Sequence, residues 1–141
     1  MNALNFAALK EGEELEALVK DPITKVQLVK YAGASGDFNP IHTDDETAKT
    51  VGLGGVIAHG MLSMGFLGEY AAALAGPDGW VEELSVRFGS MVRPGDVLTC
   101  KGTVKELTQS GGRGHVRLSV WCETQKGEQP TKGEAVLSLP A

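Results

Sequence analysis

The stretch "IAHGMLSMGFLGEYAAALAG", Ile57 to Gly76, is long enough for a helix of several turns, and its apolar or small residues point in every direction, with Glu69 the one acidic exception. A helix with no polar face has to be covered. A bilayer is a poor cover, because His59, Glu69 and several glycines interrupt the run and polar segments flank it closely. The cover must come from the rest of the chain, and four downstream segments supply it. "ELSVRF" places Leu84, Val86 and Phe88 on one face, and "LTCKGTVKE" does the same with Leu98, Cys100, Gly102 and Val104. "HVRLSVWC" aligns Val116, Leu118, Val120 and Cys122, and "EAVLSL" aligns Ala135, Leu137 and Leu139. Each reads as a one-sided strand. "RPGD" at 93–96, "SGGRG" at 110–114 and "KGEQPTKG" at 126–133 are short, turn-rich connections, so successive strands are expected to be antiparallel neighbours. An antiparallel sheet curled around one apolar helix, an α+β arrangement, is the simplest way to hide every apolar face. The length, 141 residues, fits one domain over residues 1–141.

Upstream of the apolar run, "EELEALVK" alternates Leu15, Ala17 and Val19, which suits a strand and suits a short helix nearly as well. In "DPITKVQLVKYAGASG", Thr24 and Gln27 have capping-box spacing, and the helix they start is expected to end in the glycines Gly33 and Gly36. Thr43 and Glu46 repeat the spacing, which predicts a short helix through "DDETAKT" stopping near Gly52. Asp37 to His42 is then the irregular piece between two helices.

Charge and composition exclude several classes of function. Thirteen Lys and Arg against 18 Asp and Glu give a net charge of -5 with no basic run, so a nucleic-acid partner has no electrostatic footprint. The beginning, "MNALNFAALKEGEELEALVK", lacks a cationic region leading into an apolar one, and a cytoplasmic location with no membrane partner is expected. Cys100 and Cys122 lie inside strand-like patterns without zinc spacing, which suits buried reduced thiols. His42, His59 and His115 show no ligand spacing, so no metal is expected. "GLGGV" at 52–56 lacks the dinucleotide fingerprint, so no cofactor is expected either.

"SGDFNPIHTDDE", Ser35 to Glu46, carries the residues best suited to chemistry. On a continuous helix Asp37 and His42 would lie about 140° apart and could not share a substrate. Pro40 disfavours helical geometry at Asn39 and can start a new turn, so the segment can fold back and bring carboxylate and imidazole together. Such a pair can give and take protons and orient water, as general acid-base work requires. The spacing fits equally a plain turn in which Asp37 and Asn39 cap successive turns and His42 is packed or solvated. Gly60, near the start of the apolar helix, is a candidate oxyanion donor, because a helix N-terminus presents unpaired N–H groups and a positive dipole end. It also fits a simple packing glycine, with His59 beside it satisfying a buried polar contact.

"YAGASGDFNPIHTD" followed by "GVIAHGML" resembles the MaoC-like hydratase and dehydratase family, which includes (R)-specific enoyl-CoA hydratases. The resemblance extends from about Thr24 to the C-terminal "GEAVLSLP". It implies the hot-dog fold, an antiparallel sheet wrapped around a long central helix. It also implies that Asp37 and His42 are the catalytic pair, that Asn39 belongs to the same signature, and that the Gly60 backbone N–H binds the thioester carbonyl. The implied reaction is reversible hydration of trans-2-enoyl thioesters to (R)-3-hydroxyacyl thioesters, with coenzyme A or acyl carrier protein presenting the acyl group and no further cofactor. A homodimer, or a heterodimer with a second hot-dog subunit, is the implied assembly. Some bacterial relatives carry a serine eight residues after the helix glycine, where this chain has Gly68. Arg87, Arg93 and Lys101 could meet a phosphate or simply be solvated. Hot-dog domains also serve as thioester hydrolases and as acyl-binding partner subunits, and the latter would not need Asp37, Asn39 and His42 together.

Overall fold

Thr24 starts the first helix as its spacing requires: its hydroxyl accepts from the Gln27 N–H at 3.1 Å. The computed structural model describes residues 1–141. Along the chain run β1 (Leu18–Val19), α1 (Lys25–Ser35), α2 (Asp45–Thr50), α3 (Gly60–Ala75), β2 (Trp80–Phe88), β3 (Thr99–Ser110), β4 (Arg113–Glu123) and β5 (Thr131–Pro140). Helix α1 passes through Gly33 and ends at Gly36, whose φ of 77° is the left-handed C-cap conformation that glycine adopts without steric cost. Only the second of the two expected glycine stops therefore acts as one. α2 is capped by Asp44, which accepts from the Glu46 N–H at 3.3 Å and from the Thr47 hydroxyl at 2.6 Å. The expected Thr43 cap is displaced by one residue, because a carboxylate next to it serves two donors where a hydroxyl would serve one.

The strands form one antiparallel sheet in the order β1-β3-β4-β5-β2. Gly111 and Gly112, with φ of 58° and 75°, make the tight loop between β3 and β4, the two-residue hairpin geometry that demands positive φ at both positions. β2 departs from expectation, since it pairs with β5 and leaves "RPGD" on a longer crossing between non-adjacent strands. That crossing has its own partners: the Ala58 N–H donates to the Val92 carbonyl at 2.7 Å, and the Gly95 N–H to the Ile23 carbonyl at 2.7 Å. The first expected strand shrinks to Leu18–Val19, paired with β3, and a bridge from Glu14 to Thr103.

Leu98, Cys100 and Val104, then Val116, Leu118, Val120 and Cys122, then Ala135, Leu137 and Leu139 are all buried on the face that holds α3. From α3 they meet Leu62, Phe66, Leu67, Tyr70, Ala71 and Leu74. Cys100 and Cys122 are free, buried and directly opposite each other across the β3–β4 pair. The sheet does not close round the helix. Met61, Gly65, Glu69 and Ala72 lie on an exposed flank, and Glu69 uses it to pair with Lys20 at 2.7 Å. No helix is long and apolar enough to cross a membrane.

Candidate active site

After the Gly36 cap the chain turns twice on its own side chains. Asp37 Oδ1 accepts the Asn39 N–H at 3.2 Å, and Asn39 Oδ1 accepts the Ile41 N–H at 3.2 Å. Pro40 then begins a single 3-10 turn, Pro40–His42, where its missing N–H costs nothing. The capping reading and the paired reading of this segment hold together, because Asp37 has two oxygens. Oδ1 shapes the turn, and Oδ2 stands 3.8 Å from His42 Nε2. That separation is too long for a direct hydrogen bond and short enough for both atoms to hold one water or hydroxyl oxygen.

The tautomer of His42 follows from its other nitrogen. Nδ1 lies 2.7 Å from the Ile57 carbonyl oxygen, which can only accept, so Nδ1 carries the hydrogen. In the neutral ring Nε2 is then a lone pair aimed toward Asp37, the form a general base requires. His42 is buried, whereas the Asp37 side chain is half exposed.

His59 ties these parts to the helix. Its ring stacks on His42 with centroids 3.8 Å apart and an interplanar angle of 23°, and Tyr31 meets its edge at 4.8 Å. Nε2 donates to the Asp37 carbonyl at 3.2 Å, while Nδ1 is buried with no partner. Burial holds the His59 pKa below the ordinary histidine value, and the nearby His42 adds to the effect against the opposing Asp37 carbonyl contact. One residue thus braces the carboxylate's backbone and the face of the His42 ring while forming the N-cap of α3. The sequence reading of His59 as a buried polar contact is correct as far as it goes. Its stacking partner could not be seen from spacing. The donor-capable atoms of Asp37, His42 and His59 all lie within 4.8 Å of one another. The rings are nearly parallel, so their in-plane lone pairs do not converge on one point as metal ligands would have to.

Gly60 is the first residue of α3, and its N–H makes no hydrogen bond to the protein. A β-carbon here would meet the Phe88 ring at 3.0 Å, so any larger residue would have to push that exposed ring aside. The Ser63 hydroxyl donates to the Gly60 carbonyl at 2.7 Å and lies 2.5 Å from Thr131 Oγ1. With the Ser63 hydrogen committed, the Thr131 hydroxyl must donate to Ser63, and this pins the first turn of α3 to the start of β5. His42, His59, Gly60, Ser63, Phe88 and Thr131 line a pocket of about 170 Å³. Asp37 and Asn39 stand outside that lining, and Asn39 uses its side-chain oxygen in the turn.

A lone-pair nitrogen and a free helix N-terminal N–H at one small pocket, with a carboxylate oxygen 3.8 Å from that nitrogen, can activate water beside a donor for developing negative charge. The model of the MaoC like domain matches residues 6–126. The chain belongs to the MaoC-like domain family. Among relatives of this MaoC-like domain, the (R)-specific enoyl-CoA hydratase of Rhodospirillum rubrum is 34% identical over 137 residues, covering 96% of this chain and 92% of that one. The 3-hydroxybutyryl-CoA dehydratase of Methylorubrum extorquens is 30% identical over 141 residues, covering 99% of this chain and 87% of that one. Among solved structures, the (R)-hydratase from A. caviae involved in PHA biosynthesis superposes with a TM-score of 0.82 at 30% identity, covering 94% of this chain and 98% of that one. The fold is the hot-dog fold, of α+β class.

Proposed function

We propose that this MaoC-like domain is a hydro-lyase that adds water reversibly to trans-2-enoyl-CoA thioesters, giving (R)-3-hydroxyacyl-CoA. The observation that carries the reading is the His42 Nε2 lone pair 3.8 Å from Asp37 Oδ2, with Nδ1 tied to the Ile57 carbonyl. In the forward direction, water held by both atoms gives one hydrogen to Nε2 while Asp37 Oδ2 accepts a bond from the other. The water oxygen bonds to C3, the double-bond electrons move toward the thioester, and the enolate oxygen that develops is met by the Gly60 N–H and the positive end of α3. The proton on Nε2 then passes to C2, and the ring is neutral again. Every atom of the water is retained in the product, so the step is redox-neutral and needs no electron carrier. In the reverse direction Nε2 removes the C2 proton and returns it to the leaving hydroxyl.

A dimer is the assembly this reading favours, through a second copy or a related hot-dog chain. β2 has a partner only in β5, so its outer edge is free to pair. Phe38, Met61, Phe88 and Met91, beside or within the site, are all exposed large apolar residues that a partner could cover. A fully active monomer at high dilution would contradict this assembly.

A panel of trans-2-enoyl-CoA substrates of graded acyl length, followed by loss of enoyl absorbance alongside free-thiol release, tests the reaction. Loss of absorbance without thiol supports hydration. Thiol release at the rate of substrate loss would make the protein a thioester hydrolase instead.

A further inference from the structure

The opposite face of the sheet carries a second concavity, of about 840 Å³, that the hydratase chemistry leaves without a role. The strand register places Lys101 opposite Trp121, Trp121 opposite Lys132, and Lys132 opposite Arg87. One row across β3, β4, β5 and β2 thus holds three cations and an indole. Lys101 is neutralised by Glu123 at 3.0 Å, and Glu123 also accepts from the Trp121 indole N–H at 3.3 Å. Arg93, on the crossing segment, lines neither cavity, and its guanidinium reaches the Gly55 carbonyl at 3.5 Å. Arg87 and Lys132 have no carboxylate partner at all. Like charges directly opposite on adjacent strands repel, and here they do so on a chain whose net charge is -5. The one acid in the groove, Glu134, is already held by Lys105 and by Arg117 at 3.1 Å. What is left over is an exposed pair of positive charges beside an aromatic ring, with Ser85 and Ser119 in the neighbouring row of the groove, level with Glu134.

The groove also adjoins the catalytic pocket. Phe88 and Thr131 are opposite each other and line that pocket, while Arg87 and Lys132 are the next pair along and line the groove. A strand advances about 3.3 Å per residue and alternates its faces. The two cavities are therefore separated by the thickness of the sheet at the ends of β2 and β5, where Pro130 faces one and Gln129 the other. Gly89, Pro130 and Thr131 at this sheet end line the catalytic pocket, so a thioester reaching from Gly60 to the groove would pass here.

The geometry points to a nucleotide subsite: the outer groove binds the adenosine phosphate end of coenzyme A, with the adenine against Trp121 and the phosphates on Arg87 and Lys132. The inference rests on the hydratase reading for its direction of approach, and it commits the substrate carrier to coenzyme A. An acyl carrier protein has no adenine for the indole to meet. Guanidinium and ammonium groups suit phosphate, and base–aromatic stacking suits adenine.

The test compares one trans-2-enoyl group on coenzyme A with the same group on N-acetylcysteamine, which lacks the nucleotide. Arg87→Ala combined with Lys132→Ala should raise KM for the coenzyme A substrate about tenfold or more with kcat little changed. The truncated thioester should show no difference between wild type and variant. Separately, adenosine 3′,5′-bisphosphate should quench tryptophan fluorescence in the wild type and in Trp80→Phe, but not in Trp121→Phe. An unchanged KM for the coenzyme A substrate, or an equal rise with both substrates, overturns the subsite. If the wild type hydrates neither substrate, the hydratase reading fails, and the bisphosphate titration alone decides the groove: quenching through Trp121 supports it and none overturns it.

Discussion

The inner face of β3, β4 and β5 and the connection from Gly36 to Gly60 are built on opposite terms. The inner face is held by many interchangeable contacts, with Leu118, Leu137, Leu139, Val116 and Leu67 all fully buried against one another. The connection is held by directional hydrogen bonds, each tied to one atom pair: Asp37 to Asn39, His42 to Ile57, His59 to Asp37. A redundant core tolerates change by losing stability gradually. A site made of single directional contacts loses function at once while the fold stands, and the two regions can be separated by experiment.

The largest effect is expected in the connection. Asp37→Asn and His42→Gln should each lower kcat by about two to four orders of magnitude, the range for a positioned acid-base group, with thermal stability close to wild type. Stopped assays on the purified variants, with melting curves alongside, check both halves, and near-normal turnover by either variant would remove the pair from the mechanism. The converse change lies in the core. Leu118→Ala should cost about 2–5 kcal/mol of unfolding free energy, measured by denaturant titration, while the kcat of the protein that remains folded stays near wild type.

A smaller effect tests the brace between the regions. Burial keeps His59 neutral by depressing its pKa, so the unfolded chain binds more protons than the folded one once pH falls below the ordinary histidine value. Its contribution to stability is present above about pH 6.5 and is lost as pH falls through that value toward the native pKa. His42 stacks on His59 and the Asp37 carbonyl accepts from it, so the diagnostic is a difference between variant and wild type. His59→Phe should show a shallower loss of melting temperature between neutral and mildly acidic pH than the wild type, and an equal slope would contradict a neutral His59. The smallest effect is expected at Gly68, where a β-carbon would meet only Leu84 at 3.7 Å. Gly68→Ser should fold normally and shift stability by less than about 1 kcal/mol, within the helix-propensity gain over glycine.

The same contrast explains what could be read from the sequence. Apolar alternation says which side of a strand is buried, so the inner-face residues of β3, β4 and β5 were all legible. It does not say which strand is the neighbour: chain order suggests β3 beside β2, whereas β2 pairs with β5. Capping chemistry located α1 and α2 to within a residue, and the competition between Thr43 and Asp44 was decided by hydrogen bonds that spacing does not show. In the site, Pro40 made the fold-back of Asp37 and His42 conceivable, and the family motif singled it out. The stacking of His59 on His42, the Ser63–Thr131 latch and the Lys132–Arg87 pair each join residues from distant elements. Their partners are set by register and packing, which no local pattern encodes.

The central claim is that His42 and Asp37 direct water to C3 of an enoyl thioester, and water enriched in a heavy oxygen isotope tests it in one experiment. Incubation of a trans-2-enoyl-CoA with the protein in that water, followed by mass spectrometry of the intact product, should place the label in the C3 hydroxyl of an (R)-3-hydroxyacyl thioester. Label found instead in the carboxylate of a released acid, with free coenzyme A formed in equal amount, would contradict the account.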